Sequence, residues 1–297
     1  MSGETSAAER GAGAKVSRPP GQLTVAVVGV GLLGPGLENW AAARPLLCSP
    51  ALWHLQATVV PAPGSLPANE RRRAGTVVRA SIVVAEEACL AAGLDAAQLA
   101  TVFTSSTGDP SNCHLLCEAL AKPERLVSPT RFTNSVHNAA AGYWHIAVAS
   151  RQASTSLAAF DASFAAGLLE AAVQCLASSQ PVLLVACDVP YPEPLHKVRP
   201  LLDVFAVALV LAPENLAERN APLLRLHSSP AVEVSACQHS GLEALRLGIP
   251  AARALPLLQR LAPATATACA LVIEGLPGQA LQLSLCWPQS AKGPSPP

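Results

Sequence analysis

Hydrophobic positions along the chain fall into two kinds of run. The first is short, continuous and rich in Val, Leu and Ala: LTVAVVGVGLLG (23–34), PVLLVAC (181–187) and VFAVALVLAP (204–213). Runs of this length without alternation predict strands buried on both faces. ATVFTSSTGD (100–109) predicts another strand, running into a polar loop. The second kind has helical spacing. Within 69–93, Val77, Ile82, Val84, Ala85, Ala88 and Cys89 recur at about helical intervals, and Gly93 stands where a C-cap belongs. NSVHNAAAGYWHIAVAS (134–150) predicts a second helix, and STSLAAFDASFAAGLLEAA (154–172) passes from β-like alternation into a helical stretch. Beyond 213 prolines interrupt the pattern, leaving the shorter segments ALPLLQRLA (254–262) and QALQLSLCW (279–287). Strands alternating with helices predict an α/β protein whose sheet is covered on both faces.

Composition narrows the picture. With 51% hydrophobic and 13% charged residues, the 297-residue chain can bury a large core. Twenty basic residues balance twenty acidic ones, so neither nucleic acid nor an anionic membrane is expected as a partner. The apolar runs are shorter than the roughly 20 residues that cross a bilayer. MSGETSAAERGAGAKVSRPPG (1–21) lacks the apolar centre of a signal peptide and reads as a disordered tail. Nine scattered cysteines, an odd number, then predict reduced thiols and a cytoplasmic location. Cys113 and Cys117 in CHLLC have no second ligand pair at zinc-finger spacing, so they are expected to be small core residues and no metal is expected.

Three stretches hold candidate chemistry. Gly29, Gly31 and Gly34 match the dinucleotide pattern G-x-G-x-x-G after a strand. Pro35 and Gly36 interrupt the helix that pattern requires, and no carboxylate stands near Trp53 and His54 for a ribose, so no cofactor is expected. In SPTRFTNSVHNAAAGYWHIA (128–147), Asn134, His137 and Asn138 gather beside Arg131 and Phe132. They line a pocket, or Asn134 or Ser135 caps a helix and His137 is a satisfied core histidine. The third stretch places a lone carboxylate, Asp161, where a strand turns into a helix, and the free amides of a helix N-terminus favour negative charge.

The order VAVVGVGLLG, ERRRAG…AEEACLAAGLD, VFTSSTGD, SPTRFTNSVHNAAAGYW, STSLAAFDASFAAGLLEAA, PVLLVACDVP and VFAVALVLAP resembles the N-terminal half of the β-ketoacyl synthases of the thiolase-like superfamily, over about residues 22–225. Within that superfamily the chain is most similar to the short chain length factors of bacterial aryl-polyene type pathways. The resemblance implies a thiolase-like layered α/β/α sheet, one half of the usual duplicated fold plus a short C-terminal extension. It divides the chain into a disordered tail (1–21), a synthase-like domain (22–225), a truncated extension packed on the same domain (226–287) and a second disordered tail (288–297).

Aligned to the family, Asp161 falls where condensing members carry the cysteine that accepts the acyl chain. A carboxylate is a poor nucleophile towards a thioester, because the product would be a strained mixed anhydride. His239 is the only histidine beyond His227, and nothing around it resembles the family's histidine motifs. The resemblance therefore implies no catalytic residue and a subunit inactive alone, paired as a heterodimer with a complete β-ketoacyl synthase in bacterial type II fatty acid or polyketide (aryl polyene) synthesis. Such a subunit shapes its partner's acyl tunnel, with acyl carrier protein as a further partner. The pocket and interface positions it implies are Arg131, Phe132, Asn134, His137, Asn138, Tyr143 and Trp144, together with Ser156, Phe160, Asp161, Ser163 and Phe164 around the turn. Asp161 itself is expected to cap the helix through the N–H of Ser163 or Phe164. Two alternatives stand beside this reading: an acyl-thioester hydrolase or acyltransferase using Asp161 and His137 with Ser163 or Ser156, and a purely structural scaffold.

Overall fold

The computed structural model describes residues 21–263 and 268–287, so the expected tails lie outside the described residues apart from Gly21. In chain order the elements begin with β1 (Leu23–Leu33), α1 (Trp40–Cys48), α2 (Ala68–Arg73), α3 (Thr76–Ala92) and β2 (Ala100–Thr104). There follow α4 (Pro110–Ala121), α5 (Pro129–Thr133), α6 (Ala139–Val148), β3 (Ser154–Leu157), α7 (Ser163–Ser178), β4 (Val182–Asp188) and β5 (Phe205–Ala212). The chain continues through β6 (Leu223–Pro230), α8 (Ser240–Gly248), α9 (Leu255–Leu261), β7 (Cys269–Glu274) and β8 (Gln279–Cys286). All the described strands join one sheet in the order β3-β2-β4-β5-β1-β6-β8-β7. β2 is parallel to both β3 and β4, and the remaining pairings are antiparallel.

Strand β5 shows why its sequence is continuously apolar. Val207, Leu209 and Leu211 enter the core on one face, and Ala206, Ala208 and Val210 enter the core on the other. The first core is closed by α7, α8 and α9 through Phe164, Leu168, Leu242 and Leu258. The second is closed by α3 and α6 through Val84, Ala88 and Trp144. This is the α/β/α layering expected from the sequence. One stretch, Phe160–Ser178, is long and apolar enough to cross a membrane, but half of it is buried inside the fold, as suits a helix covering a sheet.

The glycines of VVGVGLLG have a packing role. A Cβ on Gly31 would overlap the carbonyl oxygen of Val84, and one on Gly29 that of Ala88, so β1 lies directly against the backbone of α3. Gly34 gives the same clearance to the ring of Phe205. Gly93 ends α3 with φ 63°, the left-handed C-cap expected.

One expectation is corrected. The helix expected over 134–150 begins only at Ala139, because α5 ends at Thr133 and the chain turns through 134–138. Asn134 is drawn inward there: its Nδ2 donates to the Arg73 carbonyl at 2.9 Å and its Oδ1 accepts from the Tyr143 hydroxyl at 3.0 Å. A side chain committed to such tertiary bonds competes with helix continuity. Strand β6 pairs with β1 on one side and β8 on the other, so the segment beyond 225 continues the sheet of the residues before it.

The β1–α3 contact leaves no room for a methyl group. Gly31→Ala is expected to lower unfolding free energy by about 1–3 kcal/mol in urea titration, the usual range for overpacking. Gly64→Ala, with nothing within 4 Å of the added carbon, is expected to stay within about 0.5 kcal/mol.

Candidate functional site at the strand ends

The parallel strands β3, β2 and β4 run side by side, with Thr104 opposite both Leu157 and Ala186, so their C-terminal ends open on one region. Three connections leave from it: the polar loop 105–109, the strand-to-helix elbow 158–162, and the turn after Asp188. Side-chain chemistry concentrates here for the usual reason, that a rigid sheet presents loops of free composition at one edge.

Asp188 organises the floor of this region. It is buried, with Oδ1 accepting from the Ser105 hydroxyl at 3.2 Å and the Ser106 amide at 2.7 Å, and Oδ2 accepting from the Ala251 amide at 2.8 Å. Desolvation raises its pKa, while these hydrogen bonds pull the other way. One carboxylate thus joins the end of β4, the loop after β2 and the turn that leads into α9.

The elbow differs from its sequence reading. Its apex is Phe160, at φ 53°, not Asp161. A bulky residue in the left-handed region is uncommon and marks a sharply constrained turn. Phe160 is 61% exposed, and the Arg199 guanidinium lies 3.7 Å from its ring centroid. Asp161 does not cap α7, whose N-terminus has no side-chain cap. Its carboxylate instead accepts from Arg199 Nη2 at 2.7 Å and faces Arg253 Nη2 at 3.3 Å. Two guanidinium partners attract a carboxylate more strongly than neutral amides do, which is why the capping expectation fails. Arg253 is 8% exposed and also pairs with Glu274; its pKa is lowered by desolvation, with the Asp161 charge acting in the opposite sense. Ser163 takes over the turn, its Oγ accepting from the Ala159 amide at 3.0 Å and donating to the Phe160 carbonyl at 2.7 Å.

The remaining sequence-predicted positions separate. Arg131 and Asn134 line a cavity of about 580 Å³ between α2, α4 and α5. His137 lies beside the loop after β2, with Nε2 3.3 Å from the Ser105 carbonyl. Asn138 is exposed at the start of α6 and makes no cap bond there. Phe132 is 70% exposed, whereas Tyr143, Trp144 and Phe164 are buried in the two cores. Within this chain Tyr143 and Trp144 pack in the core between α6 and the sheet. Ser156 is half-buried in β3, the outermost strand. Asp161, His137 and Ser163 do not form a triad: each is engaged elsewhere, and the Ser163 hydroxyl is buried.

Sequence reading missed Arg199, Arg253 and Asp188. Arg253 carried a signal in PAARALPLL, since an arginine within an apolar run is rarely buried without a carboxylate partner. Arg199 and Asp188 carried none. All nine cysteines are free. Cys113 and Cys117, expected as small core residues, are instead exposed on α4, because that helix lies at the surface with only Pro110 buried. Burial pushes the Cys175 thiol up to about 11 and those of Cys89 and Cys237 up to about 12, so these three are packing groups. Among the described residues no group of three or more His, Cys, Asp or Glu side chains is suited to a metal ion.

Comparison with known proteins follows the same geometry. Residues 48–255 match the family model for the β-ketoacyl synthase N-terminal domain. A chain from the complex of the ketosynthase ApeO with its chain length factor ApeC, from Xenorhabdus doucetiae, superposes with TM-score 0.67 at 22% identity, covering 88% of this chain and 99% of that one. A chain from the ishigamide ketosynthase/chain length factor gives 0.65 at 14% identity, with 88% and 99% covered. A chain from AntDE:AntF, a type II polyketide synthase acyl carrier protein in complex with its ketosynthase, gives 0.69 at 14%, with 89% and 99% covered. At these identities the likeness establishes the fold. The search of curated proteins returned no match.

The buried carboxylate sets a sign for pH dependence. Because the Asp188 pKa is raised above its ordinary 3.8, the folded chain holds more protons than the unfolded one in the window just above that value. Stability from this group is then lost as pH rises through the window. In urea titrations from about pH 3 to about pH 7, the wild type is expected to lose stability relative to Asp188→Asn, which has no such proton to release. A difference that stays constant or grows with pH contradicts this.

Proposed function

Because the chain belongs to the β-ketoacyl synthase N-terminal domain family, we propose that it is a non-catalytic synthase-like subunit, a chain length factor, that pairs with a complete ketosynthase. One observation carries the reading: the outermost strand β3 leads directly into an elbow whose apex is the exposed aromatic Phe160 in place of a thiol. A strained strand-to-helix turn is built to present a nucleophile. Here the turn is kept and presents a ring, flanked by a carboxylate already held by two arginines. That arrangement has no group suited to attack a thioester.

The same elements suit an interface. β3 is paired on one side only, with β2, and its STSL sequence has none of the prolines or lysines that discourage pairing along a free edge. Phe132 and Phe160 supply exposed aromatic anchors, the residue type that dominates binding energy at protein interfaces. The comparison structures include ketosynthases solved together with their chain length factors, which supports this kind of partner. Within such a pair the chain would limit the acyl tunnel through Phe132 and Phe160, in a type II pathway of aryl-polyene kind in which acyl carrier protein delivers the chains.

Co-expression with a ketosynthase encoded beside it is expected to give a one-to-one complex. Phe160→Ala and Phe132→Ala should each weaken that complex about tenfold in competition pull-downs, the effect of losing about 1.4 kcal/mol at an interface. Phe132→Ala should also shift the product distribution of the complex towards longer chains. A monodisperse monomer that ignores the synthase, or condensing activity by the chain alone, contradicts the proposal.

A further inference from the structure

A second region has chemistry that the subunit reading does not use. The cavity of about 580 Å³ that Arg131 and Asn134 line is bounded by the end of α2 and the starts of α3, α4 and α5. Arg72, Arg73 and Arg131 all line it, against one carboxylate, Asp109. That carboxylate is already engaged, since Oδ1 caps α4 by accepting from the Asn112 amide at 3.0 Å. Among the described residues Arg72 and Arg131 form no ion pair with a carboxylate; Arg72 Nη2 donates to the Asn69 side chain, and Arg73 meets Glu70 at 3.4 Å on the surface. Three arginines lining one space against a single engaged carboxylate concentrate positive charge there, which a bound anion would compensate.

The walls are braced. Asn112 Nδ2 donates to the Arg131 carbonyl at 2.8 Å, and Asn134 Nδ2 to the Arg73 carbonyl at 2.9 Å, so α4, α5 and α2 are tied together behind the arginines. The Tyr143 hydroxyl, donating to Asn134 at 3.0 Å, anchors this bracing in the core. Hydroxyls of Thr76, Ser111 and Ser128 line the same space, and the first turn of α3 has no side-chain cap competing for its amides. Opposite the polar side, Leu115, Val189, Pro190 and Val204 form an apolar wall.

We infer that this cavity binds a phosphate monoester carrying a short apolar group, the phosphate held by Arg72, Arg73 and Arg131 and the apolar part against Leu115, Val189 and Val204. Forked guanidinium groups match the oxygens of a phosphate, and three of them suit a dianion better than a single carboxylate charge. The volume lies within the range of small-molecule sites. The inference does not rest on the subunit reading: the cavity, its arginines and its bracing belong to this chain alone.

The test is calorimetric titration of the full chain at fixed ionic strength with hexyl phosphate, inorganic phosphate, hexanoate and hexanol. Hexyl phosphate is expected to bind most tightly, inorganic phosphate about tenfold more weakly, and hexanol not measurably. Arg131→Gln and Arg73→Gln should each weaken hexyl phosphate binding at least tenfold, and Arg131→Lys should retain part of it, while the exposed Arg219→Gln, outside the cavity, should leave it unchanged. Circular dichroism identifies any variant that fails to fold, and Arg131→Lys then serves as the deciding variant. No binding of hexyl phosphate at about 10 mM, binding indifferent to the cavity arginines, or hexanoate binding as tightly as the phosphate would each overturn the inference. None of these outcomes depends on whether a ketosynthase is captured.

Discussion

A single buried carboxylate holds the functional end of this molecule together. Asp188 ends β4 and accepts hydrogen bonds from the loop after β2 and from the turn at Ala251. Burying a charge without compensation is costly, so the carboxylate is tolerated only because amides and a hydroxyl converge on it. That convergence positions other parts. The loop it fixes carries the Ser105 carbonyl that meets His137, and the turn it fixes carries Arg253, which reaches the elbow. Loss of this one group would release three segments at once.

The elbow depends on that placement. Asp161 lies between Arg199 and Arg253, and Arg199 also covers the Phe160 ring. The left-handed backbone at Phe160 is unfavourable by itself and persists because the neighbouring groups determine it: Ser163 locks the backbone from below, and the arginines hold the side chains from above. The turn thus presents an aromatic ring clamped by an arginine that also pairs with the neighbouring carboxylate. Stability and the proposed pairing role draw on the same contacts.

Much of the fold was legible in local pattern. The apolar run of β5 has to be buried on both faces, since neither set of alternating positions is polar, and Gly93 marks the end of α3 because a left-handed C-cap favours glycine. The glycines of β1 were legible as special but not in purpose: their spacing matches a phosphate-binding turn, whereas their role is to admit the backbone of α3. The site was less legible. Asp161 was visible as a lone carboxylate at a strand-to-helix junction, and helix capping is the partner that local sequence offers. Its actual partners come from a loop and a turn far along the chain. Tyr143 and Trp144 were legible as bulky candidates for a pocket or tunnel wall, and the packing of α6 places both side chains in this chain's own core.

The sequence by itself determined the layered α/β architecture, the absence of a thiol at the elbow and the family resemblance, because each of these depends on residue type and short-range spacing. Tertiary structure decided which residue forms the apex of the elbow, where the lone carboxylate finds its charge partners, and that arginines from two separate helices line one cavity. These depend on the relative placement of segments distant in sequence, which no local periodicity encodes.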